Sequence, residues 1–375
     1  MLSTIVSATF RLPELTALWN QSVGFQHPTD RWTAYCNQLA IAVVIPFFRE
    51  VFDSSTVRPV LAPTAQASQW SCVTGTMLQV GNLRWLVLPI EQVDEAEIAI
   101  PQEWLEIPDW QIDRIIAIQI NPDDALASIA GFTDRFTLQT YGHYDPVTRT
   151  YALDRIHWIA DIATLQVIEA LTEPPESSIA PTPLLSLPIA QAQNLIPRLA
   201  ESVIPRLAIP FQTWAALIQN PGWRQQYHHH RQTGEAPRSV TQWLQSGLDA
   251  VAAELGWQPF NWAMAGTRGA GDRSAMPSAI CKVLTIAGLR YEFRIVSGTE
   301  PGDWRFELQG LGGRIPAGLV LRLKTEDLQD FEGNEAIALE DLDSLWIDVT
   351  VEPGEALIWE IEPTPEEGDR ELVRF

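Results

Sequence analysis

Tyr291-Glu-Phe-Arg-Ile295, Trp304-Arg-Phe-Glu-Leu308 and Leu319-Val-Leu-Arg-Leu-Lys324 share one pattern, a large apolar side chain at every second position. Successive side chains of a strand point to opposite faces, so a period of two reads as a strand with one buried and one wet face. Ile347, Val349 and Val351 repeat it against Asp348 and Thr350, as do Leu357, Trp359 and Ile361 against Glu360 and Glu362. Several half-buried strands within 279–375 predict an antiparallel β-sandwich.

Upstream of this block the period disappears. Glycine dominates Ala263-Met-Ala-Gly-Thr-Arg-Gly-Ala-Gly-Asp-Arg-Ser-Ala-Met-Pro277, so 263–278 is expected to be a flexible linker. Residues 189–262 read as a helical section, with helices over 189–202, 209–219 and 238–255, the last carrying Trp243, Leu244, Leu248, Val251 and Leu255 on one stripe. Pro174, Pro175, Pro181, Pro183 and Pro188 mark 172–188 as a semi-rigid linker.

Residues 1–171 are expected to form an α+β domain. Trp32, Tyr35, Leu39, Val43 and Phe47 recur at helical spacing behind Thr29 and Asp30, either of which suits a cap, and Pro46 should kink or split that helix. Residues 70–80 and 83–90 flank Gly81-Asn82, which predicts a hairpin. Trp104 to Trp110 reads as a loop burying two indoles, and Ile112 to Ile120 as a central strand. Asn121-Pro-Asp-Asp124 is turn chemistry, followed by strands at Leu126–Phe132 and 135–141, a turn at His143–Pro146 and a helix from Ala152 to Leu171. The fold class expected is therefore α+β: an N-terminal α+β domain, a helical middle section and a C-terminal antiparallel β-sandwich.

Several separated motifs resemble the cyanobacterial family known as domain of unknown function 1822. They are Asp30-Arg-Trp-x-x-Tyr-x-Asn37, Ile100-Pro-Gln-Glu-Trp104 leading to Ile107-Pro-x-Trp110, Gln119-Ile-Asn-Pro-Asp-Asp124 and Pro205-Arg-Leu-Ala-x-Pro210 within Leu199 to Trp223. Leu323-x-Thr-Glu-Asp-Leu-Gln-x-Phe-Glu332, Glu352-Pro-Gly-Glu355 and Arg374-Phe375 extend the likeness to nearly the whole chain. The resemblance brings no catalytic residues; it implies only a loose association with regulatory and signalling genes.

Charge narrows the partners. Lys and Arg number 25 against 47 Asp and Glu, a net −22 with the cations spread thinly along the chain. Such a surface repels phosphate backbones and anionic lipid alike, so direct contact with nucleic acid or membrane is not expected. Only Lys282 and Lys324 are lysines; arginine supplies the rest, a bias that suits carboxylate pairing as well as it suits genome composition. The start lacks a basic signal-peptide region, and the longest apolar run, Leu39 to Phe48, is about half of a bilayer span. Cys36, Cys72 and Cys281 fit no zinc or redox spacing, so a cytoplasmic location is expected.

No catalytic residue, metal or cofactor is assigned from the sequence. Adjacent histidines on a helix point about 100° apart, so His228-His-His230 reads as a solvated loop or helix end, not a metal site. Cys36 with His157 is a conceivable nucleophile and base, yet Cys36 sits on an amphipathic stripe and reads as core. Gly266-x-x-Gly269-x-Gly271 lacks the Lys-Ser or Lys-Thr of a phosphate loop, and Asp123-Asp124 and Asp341-x-Asp343 match no calcium loop. The most informative feature is 326–343, where Glu326, Asp327, Asp330, Glu332, Glu335, Glu340, Asp341 and Asp343 occur with no basic residue. Such a run either keeps sheet edges soluble or draws a basic protein surface.

Trp32, Trp85, Trp158, Trp304 and Trp359 lie on apolar stripes and read as core, whereas Trp104, Trp110, Trp223, Trp257 and Trp262 sit near Pro, Gly or loop signals. Loop indoles of this kind serve as interface anchors or pack on their own domain. The expected function is a non-enzymatic interaction or regulatory protein, with Glu326, Asp327, Asp330, Glu332, Trp104 and Trp110 contacting a basic protein partner. Two alternatives stand beside it: a hydrolase whose acid and base carboxylates meet between domains, and a small-ligand sensor. Oligomeric state stays open.

Overall fold

The computed structural model describes residues 9–52, 57–91, 96–161, 164, 182–248, 252–253, 255–260, 278–366, 368 and 370–375. Most of the two expected linkers, 172–181 and 263–277, lies outside them. The C-terminal region is an antiparallel sandwich. One sheet has five strands in the order Gln258–Pro259, Ala279–Ile286, Leu289–Ser297, Asp303–Gly310, Ser344–Thr350. The other has four, Glu335–Ile337, Val320–Thr325, Ala356–Glu362 and Arg370–Arg374. The two-residue turn Ala287-Gly288 has positive φ at both positions, the conformation that matches the right-handed twist of its flanking strands. Tyr291, Phe293, Ile295, Phe306, Leu308, Leu321, Leu323, Ile347, Trp359 and Ile361 fill the space between the sheets, as their alternation predicts.

In the N-terminal half, six strands follow the order Thr9–Arg11, Leu126–Asp134, Arg114–Asn121, Leu83–Ile90, Thr76–Val80, Val57–Pro59. All pairs are antiparallel except Leu83–Ile90 with Arg114–Asn121. The central strand has Ile115, Ile116, Ala117 and Ile118 fully buried because both faces are covered. On one face lies the helix Pro28–Val51 with Leu39, Val43, Val44 and Phe48 inward. On the other lie Trp104 and Trp110, together with the helices Ile189–Ala200, Phe211–Gln219 and Pro221–Thr233, in one continuous core. A small sheet of Glu97–Pro101, Thr150–Asp154 and His143–Asp145 flanks it. Glu103, fully buried, ties this region to the helices by accepting both Arg206 Nε and Nη2, at 3.0 and 2.7 Å, and Trp214 Nε1 at 3.0 Å.

Four local expectations are corrected. Residues 135–141 are a helix, not a strand, because the Asp134 carboxylate accepts the Thr137 N–H at 2.7 Å and starts it. Where a helix was expected from Ala152, the chain continues the strand Thr150–Asp154 and turns through Arg155–His157; 162–163 and 165–171 lie outside the described residues. Pro28–Val51 is a single helix with Pro46 inside it; neither Thr29 nor Asp30 caps it, since Pro28 takes the first helical position and Asp30 is buried against Arg231. The histidines belong to the helix Pro221–Thr233, started by Asn220, whose side chain accepts the N–H groups of Gly222 and Trp223, and ended by Gly234 at φ 71°. His229 is buried, so the cluster is not solvated.

Pro221–Thr233 joins the two halves. Arg231 pairs with both oxygens of Asp30 and donates to the carbonyls of Ala200 and Ser202 at 2.9 and 2.7 Å. At its other end the helix meets the four-stranded sheet: a Cβ on Gly222 would stand 2.8 Å from Leu372 Cβ and 3.1 Å from Ile358 Cδ1. Replacing Gly222 by Ala gains about 1 kcal/mol of helix propensity, whereas overpacking costs about 1–3 kcal/mol. The clash involves a Cβ that no rotamer moves, so Gly222→Ala is expected to lower stability by about 1–2 kcal/mol in urea unfolding. In a Leu372→Gly background, which removes that Cβ along with the rest of the side chain, the same change should be neutral or stabilising.

Candidate functional site

Burial divides the acidic run in two. Glu326 is only 3 % exposed. Its carboxylate accepts Trp223 Nε1 at 3.1 Å, Gln193 Nε2 at 3.2 Å and Arg374 Nη2 at 3.1 and 3.2 Å, while its carbonyl accepts Asn220 Nδ2 at 2.7 Å. It is a joint between the sandwich and the helices. Asp327 is half-buried and accepts the Thr325 hydroxyl at 2.6 Å. Asp330 is exposed but paired with Lys324 at 2.9 Å, which pushes its carboxyl below the ordinary carboxylate value. Glu335 and Asp343 are held by Arg322 and Arg314. Glu332, Glu340 and Asp341 are exposed and have no cationic partner among the described residues.

The indoles expected as anchors are inside. Trp104 is fully buried with Nε1 donating to Thr74 O at 2.8 Å, and stacks at a tilt on Trp110, centroid to centroid 5.3 Å. Trp223 and Trp257 are buried as well, and Trp262 lies outside the described residues. Trp85, Trp158, Trp304 and Trp359 are core, while Trp32 is partly exposed. Burial therefore takes Glu326, Trp104 and Trp110 off any surface a partner reaches in this conformation.

Other apolar side chains stand beside the free acids. The segment 337–346 passes from the edge strand Glu335–Ile337 of one sheet to the edge strand Ser344–Thr350 of the other, carrying Ile337 at 45 %, Leu339 at 88 % and Trp346 at 49 % exposure. Small residues point inward here, Ala338 fully buried and Ala336 packed on the core, so the large ones point out. The period that puts Leu345 and Ile347 inside puts Trp346 outside, a signal carried by the strand's own alternation. The result is an edge studded with apolar groups and flanked by Glu332, Glu340 and Asp341.

The remaining candidates do not come together. Cys36, Cys72 and Cys281 are buried and unpaired. Burial pushes the Cys36 thiol up to about 12 and Cys281 to about 11, and His157 is stacked on Tyr141 instead of facing Cys36. Asp123 and Asp124 sit in the 121–125 turn, where Asp124 accepts Asn121 Nδ2. Gly266, Gly269 and Gly271 lie outside the described residues. Among the described residues no group of three or more His, Cys, Asp or Glu is arranged to hold a metal ion, and no helix is long and apolar enough to cross a membrane.

With this geometry in view, the chain matches a family profile over residues 14–373. It belongs to the family described as Protein of unknown function (DUF1822). No curated protein and no solved structure matches it. Membership carries no residue role to this chain, so the roles rest on the contacts above.

Two outcomes follow. Glu326→Ala leaves Arg374 and the Trp223 N–H without a buried partner and should cost about 3–5 kcal/mol in denaturant unfolding, whereas Glu332→Gln or Glu340→Gln should stay within about 0.5 kcal/mol. His228, hydrogen-bonded to Ser71 Oγ at 2.6 Å, is pushed down from 6.5 to about 3, by burial first and then by His229 and Arg231. The unfolded chain then binds a proton that the folded one refuses, so this contribution is whole above pH 6.5 and declines as pH falls toward 3. His228→Gln should flatten that part of the stability-versus-pH curve.

Proposed function

We propose that the protein is a non-enzymatic interaction or regulatory protein, working in the cytoplasm, whose sandwich edge docks on a basic surface of a partner protein. One observation carries this reading: Leu339 stands 88 % exposed between Ile337 and the unpaired carboxylates of Glu340 and Asp341. A side chain of that size left in water is ordinary when isolated; beside two further exposed apolar groups and uncompensated acids it has the make-up of an interface. The acids would steer a basic partner and the apolar groups would supply the desolvated centre. Compared with the sequence-based assignment, the contact shifts from Glu326, Trp104 and Trp110 to Glu332, Glu340 and Asp341 with Ile337, Leu339 and Trp346. Asp327 and Asp330, each with a partner inside the chain, contribute field more than contact.

The same charges keep nucleic acid and anionic membrane away. The buried, unpaired thiols are compatible with a reducing compartment. Affinity purification from the native host tests the proposal. Wild type should co-elute a protein with a basic surface; Glu332→Lys, Glu340→Lys and Asp341→Lys combined should lose it, and Leu339→Ser should weaken its retention about tenfold or more. A control with Asp123→Lys and Asp124→Lys should retain it. Identical co-elution from wild type and the triple variant would sink the idea.

A further inference from the structure

A cleft of about 500 Å³ opens where the six-stranded sheet, the helix Pro221–Thr233 and the sandwich meet. Three arginines reach it from three elements: Arg84 from the strand Leu83–Ile90, Arg224 from the helix and Arg370 from the last strand. Against them stands one acid in the wall, Asp109. In a chain with 25 cations and 47 acids, a cleft lined by three arginines and one acid, with Glu360 behind Arg370, runs against the composition of the whole.

Arg84 and Arg370 keep guanidinium donors without a partner among the described residues, while Arg224 is held in place. Arg224 is 4 % exposed and fixed by Nε on Ser68 Oγ at 3.3 Å and Nη1 on Ile218 O at 2.8 Å, with its guanidinium 5.6 Å from the Trp110 ring centroid. Arg84 donates through Nη1 to the Asp109 carbonyl at 3.2 Å, and among the described residues no carboxylate lies within ion-pair range of it. Arg370 gives Nε to Glu360 at 2.8 Å, while its two terminal nitrogens have no partner among the described residues. Beside them Gln69, 1 % exposed, lines the cleft with an Nε2 that is buried and has no hydrogen-bond partner. A buried donor without an acceptor is costly, and an incoming oxygen atom relieves it.

We infer that this cleft is a binding site for a small organic oxyanion bearing two negative charges, a phosphate monoester or a dicarboxylate. Planar guanidinium forks suit either group, Gln69 Nε2 supplies a neutral donor, and the cleft is large enough to take a carbon skeleton against Trp110 as well as the charged end. The site is separate from the sandwich edge, so it stands or falls independently of the docking proposal.

Titration calorimetry and thermal melts of the full chain at pH 8 and constant ionic strength, with inorganic phosphate, succinate and chloride as probes, test it. Phosphate or succinate should bind and raise the melting temperature where chloride does not; the stronger of the two identifies the ligand's charged group. Arg84→Gln, at a half-exposed position, should weaken binding about tenfold with the ligand-free melt unchanged. Asp109→Asn, which removes the one repulsive charge, should tighten it severalfold. Phosphate and succinate no better than chloride, or Arg84→Gln binding like wild type, would overturn the assignment.

Discussion

A buried arginine, Arg231, paired with both oxygens of Asp30, 201 residues away in the chain, is the constraint on which the rest of the structure hangs. Taking a guanidinium and a carboxylate out of water costs several kcal/mol each, which mutual attraction offsets only when geometry is good and the remaining donors are used. Here they are used: the other Arg231 donors end the helix Ile189–Ala200 by taking the carbonyls of Ala200 and Ser202. Three helices thus have one relative placement in which that charge is satisfied. Packing alone tolerates many arrangements of apolar faces; a buried ion pair with fixed forks tolerates few.

The same reasoning explains which parts of the fold were legible. The sandwich was legible because each strand states its own buried face locally, in the alternation of Phe293 with Arg294 or Trp359 with Glu360. The helix Pro221–Thr233 was not, because beside Trp223 and Tyr227 its inward side chains are the polar Arg224, Gln226, His229 and Arg231. The inward direction of Arg224 and Arg231 is set by Ser68, Asp30 and backbone carbonyls elsewhere in the chain, which no local period encodes. Glu326 and Glu332 make the same point within one motif. Both are acids in one run, yet one lies under Trp223 and Arg374 and the other in water, a difference that tertiary contacts alone decide.

Tryptophan misled for a related reason. Proximity to proline or glycine marked Trp104 and Trp110 as loop residues, whereas their backbone forms the one-turn helix Glu103–Glu106 and the tight turn Pro108–Trp110, and a short crossover buried between a sheet and helices needs bulky side chains to fill it. Trp346 has the opposite history: it sits in a regular strand and is exposed, since period two sends it outward. Local structure type is thus a poor guide to an indole's burial, and strand phase a better one.

The four-stranded sheet shows how the edge proposed for docking is kept in shape. Its edge strand Glu335–Ile337 is short and pairs only with Val320–Thr325, an arrangement that would ordinarily fray. A row of charges crosses the sheet above it: Glu335 to Arg322, Arg322 to Glu360 at 2.8 Å, and Glu360 to Arg370 at 2.8 Å. Glu360 is 6 % exposed, so its two pairs are screened little by salt, unlike the surface pair of Arg314 with Asp343. The edge strand is therefore anchored through side chains as far as the last strand of the sheet. Arg370, the end of that row, is also a wall of the arginine-lined cleft, so an anion engaging it meets a guanidinium already oriented by Glu360 and forfeits little entropy in ordering it.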